Sequence, residues 1–442
     1  MSFELNRRRF LSGVAAASAL TVGSVPARAQ TKRSLLFWHF YTQPARANYL
    51  RKMADLYQAA NPGLTITIES MPTPSVVNRL AAAKAGGAMP DLVIHSSDTA
   101  IPLFASGDLL PADDLVKDLG GPSFFAPTLL DRMSSYDGHF LSLPHYCAAR
   151  VLVYRKDRLA AAGLQPPVTW DDALKAAVAT TSAPDHYGWS YQLSRSDNGG
   201  CSVLYPLSLT AGGGFLSSKG DVHFDSDPVR EATEFMVEVI RKAGGPGVFN
   251  YSVNENFNLV NSGKTSMTLD TASLVAVAAN DAPQVAEQLD AIEIPRKDKT
   301  ATILQCAALM VLKGKNKNPE DAGGFAKFLL QPDRHLEFLH TIPLFMFPTT
   351  VATSGDVFFS NPVISRFRHV ADVSVEALKH ATLFCSDDGG INPFSSPVLS
   401  SRIVEDMLAR IVLNNTPVKD AIGGAQQQMA DLTGMLKRRL RR

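Results

Sequence analysis

Two short loops carry the side chains best suited to gripping a polar solute. Trp38-His39-Phe40-Tyr41-Thr42 joins aromatic faces to hydrogen-bonding edges, and Ser96-Ser97-Asp98 joins hydroxyls to a carboxylate. The faces of Trp38 and Tyr41 can lie against the C–H face of a sugar ring while keeping a polar handle. The Asp98 carboxylate can accept two hydroxyls at once, which fixes a ligand's orientation. Each has an ordinary alternative: Trp38 as the last buried residue of a strand, and Asp98 as the N-cap of a helix starting at Thr99. Arg150 could clamp an anionic or hydroxylated group or be a surface cation on a strand. Gly212-Gly213-Gly214-Phe215 reads as a tight turn where backbone approaches a ligand, or as a plain loop.

Other apparent chemistry dissolves on inspection. Ser262-Gly263-Lys264-Thr265 imitates the end of a phosphate loop, but the glycine needed five residues before Gly263 is Asn258. The chain has no G-x-S-x-G elbow, HExxH or GxGxxG fingerprint. Its four cysteines, Cys147, Cys201, Cys306 and Cys385, form no CxxC and have no histidines at zinc-ligand spacing. No metal and no cofactor are therefore expected. In an oxidising compartment the cysteines could pair in any of three connectivities, or stay as buried thiols that pack as small hydrophobes.

The loops need elements to hold them. Ser34 to Trp38 reads as a buried strand, Arg46 to Ala60 as an amphipathic helix stopped by Asn61-Pro62-Gly63, and Leu64 to Glu69 as a β-branched strand. A helix over Val76–Ala85 and a strand over Asp91–Ile94 follow. Alternation of this kind predicts an α/β lobe with mostly parallel pairing, with ligands beyond the carboxyl ends of the strands; both loops lie at such ends. Further on, Arg150–Tyr154 and Ser266–Leu269 read as strands and Ala322–Leu330 as a helix. Thr169 with Asp172 reads as a capping box opening a helix.

With 442 residues, 45% hydrophobic and 19% charged, the chain can bury a large core across two or more domains. A formal net charge of +1 gives no global attraction to nucleic acid or anionic membranes. The start resembles an export signal: Arg7-Arg8-Arg9, an apolar stretch from Phe10 to about Val22, then Ala27-Arg28-Ala29 before a mature start near Gln30. Arg7-Arg8-x-Phe10-Leu11 resembles a twin-arginine signal, although Asn6 stands where Ser or Thr is usual. No cysteine lies near the cleavage point to take a lipid, and no later stretch is long and apolar enough to span a bilayer. The expected location is periplasmic, with a signal over 1–29.

Taken in order, several pieces resemble the family 1 extracellular solute-binding proteins, the group that includes maltose-type binding proteins. They are Tyr57-Gln58-Ala59-Ala60-Asn61-Pro62, the run from Ala81 to Asp91, Ser106-Gly107-Asp108-Leu109-Leu110-Pro111, Tyr136-Asp137-Gly138 before Leu143-Pro144, Tyr154-Arg155-Lys156-Asp157, Thr169-Trp170-Asp171 and Gly263-Lys264-Thr265-Ser266-Met267. The resemblance implies a two-lobed, type II periplasmic-binding-protein clamp with a ligand cleft between lobes. Lobe one would hold 31–143 plus 270–312, lobe two 144–269 plus 313–442, with a hinge near Ser142-Leu143-Pro144.

It also implies a non-catalytic role: a monomer that captures a small polar solute, a carbohydrate first, and delivers it to the membrane subunits of an ABC importer. An anionic solute such as a glycerophosphodiester or phosphorylated polyol stays open because of Arg150 and His39. An exported enzyme is the rival from another class. The expected ligand set comprises Trp38, His39, Tyr41, Ser97, Asp98, Tyr146, Arg150, Gly213, Phe215, Asp270, Thr271 and Gln305, of which Asp98, Tyr146, Asp270, Thr271 and Gln305 stand at positions that the resemblance implies. Two departures argue against an oligomaltose-like ligand: Ser273 stands where sugar binders often place a Trp, and Ser400-Ser401 stand where a late stacking Trp is usual.

Overall fold

In the computed structural model the described residues are 32–194, 199–386 and 389–440. The expected export signal, including Arg7 and Arg8, lies outside them. Among the described residues eleven strands form: β1 Arg33–His39, β2 Leu64–Ser70, β3 Leu92–His95, β4 Ser135–Tyr136, β5 His139–Phe140, β6 Leu143–Arg155, β7 Tyr187–Ser190, β8 Thr265–Thr271, β9 Leu289–Ile292, β10 Thr302–Val311 and β11 Ala381–Leu383. Nine make one sheet in the order β2-β1-β3-β10-β6-β8-β7, with β11 on β10 and β9 on β6; β4 and β5 pair separately. The first three strands are parallel, as the alternation predicts. The chain then departs from a parallel pattern, because β10 enters antiparallel to both β3 and β6.

β6 gives the sheet its length. All thirteen of its residues are buried, far more than the Arg150–Tyr154 strand read from sequence. Its first half pairs with β10, from Leu143↔Leu309 to Ala149↔Leu304. Its second half pairs with β8 and β9. One strand is thus shared by two halves of the molecule.

Period-two alternation distributes the side chains. On β1, Leu35 and Phe37 join Tyr49, Leu50 and Met53 of the helix Pro44–Ala60, while Leu36 and Trp38 join Met71, Val76 and Leu80 on the other face. On β6, Val151 and Val153 belong to the first of these cores and Leu152 and Tyr154 to a third. The first core therefore runs unbroken along one face under β2, β1, β3, β10, β6 and β9, with residues from Leu35 on β1 to Ala291 on β9. The opposite face carries two separate cores, one around Trp38, Val93 and Met310, the other around Leu152, Met267 and Ile303.

Helices cover both halves of this sheet. Pro319–Leu329 packs against Pro44–Ala60, β3 and β10, in the first half. Ser273–Asp281 packs against Val253–Asn261 and Pro283–Ala286, and β9 pairs with β6, in the second half. The sequence shows no composition shift at either place. The Thr169 box forms as read: Thr169 Oγ1 accepts from Asp172 N–H at 3.2 Å and an Asp172 oxygen accepts from Thr169 N–H at 3.1 Å.

Asp91, fully buried at the head of β3, ties three segments together. Its carboxylate accepts from Leu36 N–H at 2.7 Å, Asn316 Nδ2 at 2.7 Å and Asn316 N–H at 3.3 Å. Asp91→Ala would leave the buried Leu36 N–H without a partner, and urea unfolding should show a loss of about 3 kcal/mol.

Candidate ligand cleft

Where the two cores on one face of the sheet separate, a cavity of ≈ 170 Å³ opens. Ser96, Ser97 and Asp98 reach it from the end of β3, and Gln305 and Cys306 line it from β10. The far wall comes from Ser202 in the helix Gly199–Thr210 and from Phe384, Ser386, Asn392, Ser395 and Ser396. The walls are joined directly: Asp98 Oδ2 accepts from the Ser396 N–H at 2.9 Å. Asp98 thus does act as a cap, but for the segment opposite rather than for its own helix.

The lining is rich in neutral hydrogen-bonding groups, and among the described residues Asp98 is its one charged member. Most are already engaged. Ser97 Oγ lies 3.3 Å from Cys306 Sγ, Ser395 Oγ donates to Phe384 O at 2.6 Å, and Asn392 Nδ2 donates to Ser217 O at 3.0 Å and to Cys385 O. Two buried ones are not: among the described residues, Gln305 Oε1 and Ser386 Oγ have no protein partner. Buried polar atoms are rarely left so, and two of them on one small cavity ask for hydroxyls from outside.

Of the residues singled out in the sequence, Ser97, Asp98 and Gln305 come together here. The others lie elsewhere. Trp38, 3% exposed, is core beneath the Arg79 guanidinium, which sits 4.5 Å from its ring. Phe215 stacks edge-on with Tyr205, Phe224 and Phe384, and a side chain on Gly213 would run into Pro228 at 2.6 Å.

His39, Tyr41 and Tyr146 form a buried knot with Arg46, His145, His335 and Phe338. Tyr41 Oη and His145 Nδ1 are 3.1 Å apart, Arg46 lies 4.4 Å over the Tyr41 ring, and the ring of His145 stacks on Phe338 at 4.0 Å. Burial, with Arg46 and Arg51 adding, lowers the His39 pKa to about 4. Burial also lowers His335 to about 4, against a hydrogen bond with the His145 carbonyl, and holds His145 well below its ordinary value, with His335 and Arg46 adding.

Arg150, Asp270 and Thr271 belong to a second buried network, in which the Arg150 Nε–H has no partner among the described residues. Arg150 Nη1 donates to Leu269 O at 2.9 Å and stands 3.6 Å from Asp270 Oδ1. Asp270 accepts from Thr271 N–H at 2.7 Å, Gln192 Nε2 at 3.0 Å and Asn256 Nδ2 at 3.4 Å. Burial still raises the Asp270 pKa, with Arg150 and these donors opposing. Thr271 Oγ1 is 2.8 Å from Ser273 Oγ, so the serine in place of a family Trp is used internally.

Sequence reading missed Ser202, Ser386, Asn392, Ser395 and Ser396. They are small polar residues from distant segments, and only Ser400-Ser401, just beyond them, had attracted notice.

This architecture, two α/β halves sharing strands with a small polar cavity between, is that of the two-lobed solute-binding proteins. The chain belongs to the bacterial extracellular solute-binding proteins, whose family profile matches residues 42–334. It is 28% identical over 335 residues, 71% of this chain and 73% of the relative, to the sn-glycerol-3-phosphate-binding periplasmic protein of Escherichia coli. It is 30% identical to the mannitol-binding protein of Pseudomonas aeruginosa over 210 residues, 46% of each chain. An ABC transporter solute-binding protein from Thermotoga lettingae bound with α-D-tagatose superposes with a TM-score of 0.74 at 21% identity, covering 91% of this chain and 100% of that one.

Two expectations follow from the buried networks. The unfolded chain protonates its histidines near 6.5, whereas His39 and His335 resist until about 4. The unfolded state therefore binds more protons between those values, and stability held above about pH 6.5 is lost as pH falls, at up to about 1.4 kcal/mol per pH unit for each histidine. Urea midpoints measured at about pH 7.5, 6 and 5 should fall in that order, and His335→Gln should flatten the trend. Separately, Asp270→Ala leaves Arg150 buried and unpaired and should cost about 3–5 kcal/mol. Asp270→Asn, which keeps the hydrogen-bond acceptor, should cost less in the same assay.

Proposed function

We propose that this protein is the periplasmic, non-catalytic binding component of an ABC importer, and that its solute is a small neutral polyhydroxylated molecule, a polyol or monosaccharide. The observation that carries this reading is the pair of unpartnered buried oxygens, Gln305 Oε1 and Ser386 Oγ, on a cavity whose one charged lining residue among the described residues is the Asp98 carboxylate. Hydroxyls can donate to all three. A phosphate would meet Asp98 with no lining cation among the described residues to offset it.

The cavity's ≈ 170 Å³ lies below the about 300 Å³ at which drug-sized pockets begin, and its lining has no Trp or Tyr. Both support a small solute over an oligosaccharide. The mannitol-binding and tagatose-bound relatives point the same way; the glycerol-3-phosphate-binding relative keeps an anionic solute as the second reading.

The Asp98–Ser396 bond supports reading this conformation as closed. A solute that binds it preferentially would shift the population toward it. The residue sets we take as lobes are 32–143 with β10 and the helix Pro319–Leu329, and the rest of β6 with 156–292 and the helices from Ile403 onward.

The test is a thermal-shift and calorimetric screen of the processed protein against pentitols, hexitols, ketohexoses, maltose, glycerol 3-phosphate and glycerophosphodiesters. A neutral polyol or monosaccharide at 100 times its Kd should add about 2.7 kcal/mol of stability, and Asp98→Asn and Gln305→Leu should each weaken it about tenfold or more, as loss of a buried polar partner does. Binding confined to the phosphorylated compounds would overturn the neutral reading.

A further inference from the structure

Two of the four cysteines face each other where the halves join. In the β10–β6 ladder Cys306 stands directly opposite Cys147, flanked by Gln305↔Ala148 and Ala307↔Tyr146. On its other side Cys147 uses both of its backbone groups on Phe347: its N–H donates to Phe347 O at 3.2 Å, and its carbonyl accepts from Phe347 N–H at 2.8 Å. An antiparallel residue aims its N–H and C=O to the same side, so neither reaches β10. Cys147 and Cys306 therefore occupy a non-hydrogen-bonded pair, where Cα atoms approach to about 4.5 Å and side chains lie closest. That separation falls in the about 4.4–6.8 Å span that a disulfide bridges.

Burial raises the Cys147 thiol and brings Cys306 to about 11, opposed at Cys306 by hydrogen bonds from Ser97 and at both thiols by the Arg132 guanidinium, so the exchange calls for alkaline pH. Arg132 donates from Nη1 to Leu378 O at 3.1 Å, and its buried Nη2 has no protein partner. The two thiols differ in access: Cys147 is fully buried, whereas Cys306 is partly exposed and lines the cleft cavity.

We propose that Cys147 and Cys306 are a redox pair that closes a cross-strand disulfide by exchange with an external disulfide of the glutathione class. The Cys306 thiolate attacks that disulfide, breaking its S–S bond, forming a mixed disulfide and releasing one thiolate. The Cys147 thiolate then attacks Cys306 Sγ and releases the second. The protons lost by the two cysteines go to the two departing thiolates, so two protein thiols are oxidised and one external disulfide is reduced to two thiols. The bond staples the two strands that join the halves and takes Cys306 Sγ away from Ser97. The chemistry does not depend on which solute the cleft takes.

The test uses the full processed protein with no solute added. It is reduced, exchanged into oxidised glutathione at about pH 8.5, blocked with iodoacetamide, and digested without reductant for mass spectrometry. Titratable thiols in denaturant should fall from four to two, with one peptide pair linked through Cys147 and Cys306 and with Cys201 and Cys385 alkylated. Cys147→Ala should stop at the mixed disulfide, carrying glutathione on Cys306, and Cys306→Ser should block the reaction. Persistence of all four thiols, a linkage between other cysteines, or glutathione left on Cys306 in the unsubstituted protein would overturn the proposal.

Discussion

Everything in this molecule depends on β6 being shared. A strand of thirteen buried residues, about 43 Å long at about 3.3 Å per residue, cannot belong to one half alone. On one face it lies under a single unbroken core, so the halves are welded there by apolar contact. On the other face the covering side chains part into two cores, and the sheet between them is left to polar groups. A continuous apolar core and a core parted by polar groups are thus the two faces of one sheet, and the alternation of side chains along β6 and β10 creates both.

Buried polar groups sort by whether they are satisfied. The Asp270 carboxylate, held by Gln192, Asn256 and Thr271 with Arg150 beside it, acts as framework, whereas Gln305 Oε1 and Ser386 Oγ stay open on the cavity. Composition alone would rank Arg150 above Gln305 as a ligand contact. Position reverses that order, because Gln305 lines the cavity and Arg150 does not.

Much of the scaffold was legible because its signals are local. The strand at Ser34–Trp38, the helix before Asn61-Pro62-Gly63 and the Thr169–Asp172 box each follow from a few adjacent residues, and each appears within a residue or two of its expected place. Long-range features were not legible. Nothing in Thr302–Val311 announces an antiparallel strand inserted beside β3. The cleft was half legible: a polar loop after a buried strand marked Ser97 and Asp98, but the opposing serines come from segments with no motif. Tyr41 and Trp38 misled because an aromatic at a strand end serves a core as readily as a ligand.

The tryptophans carry one more consequence. All three, Trp38, Trp170 and Trp189, are interior at 3%, 5% and 1% exposure, one held beneath Arg79 and another stacked on Phe235. None lines the cavity. The protein's native ultraviolet emission therefore reports the integrity of its two halves and is nearly blind to what occupies the space between them. An optical sensor built on this scaffold needs a fluorophore introduced at the rim of the cleft, and it would inherit a quiet background.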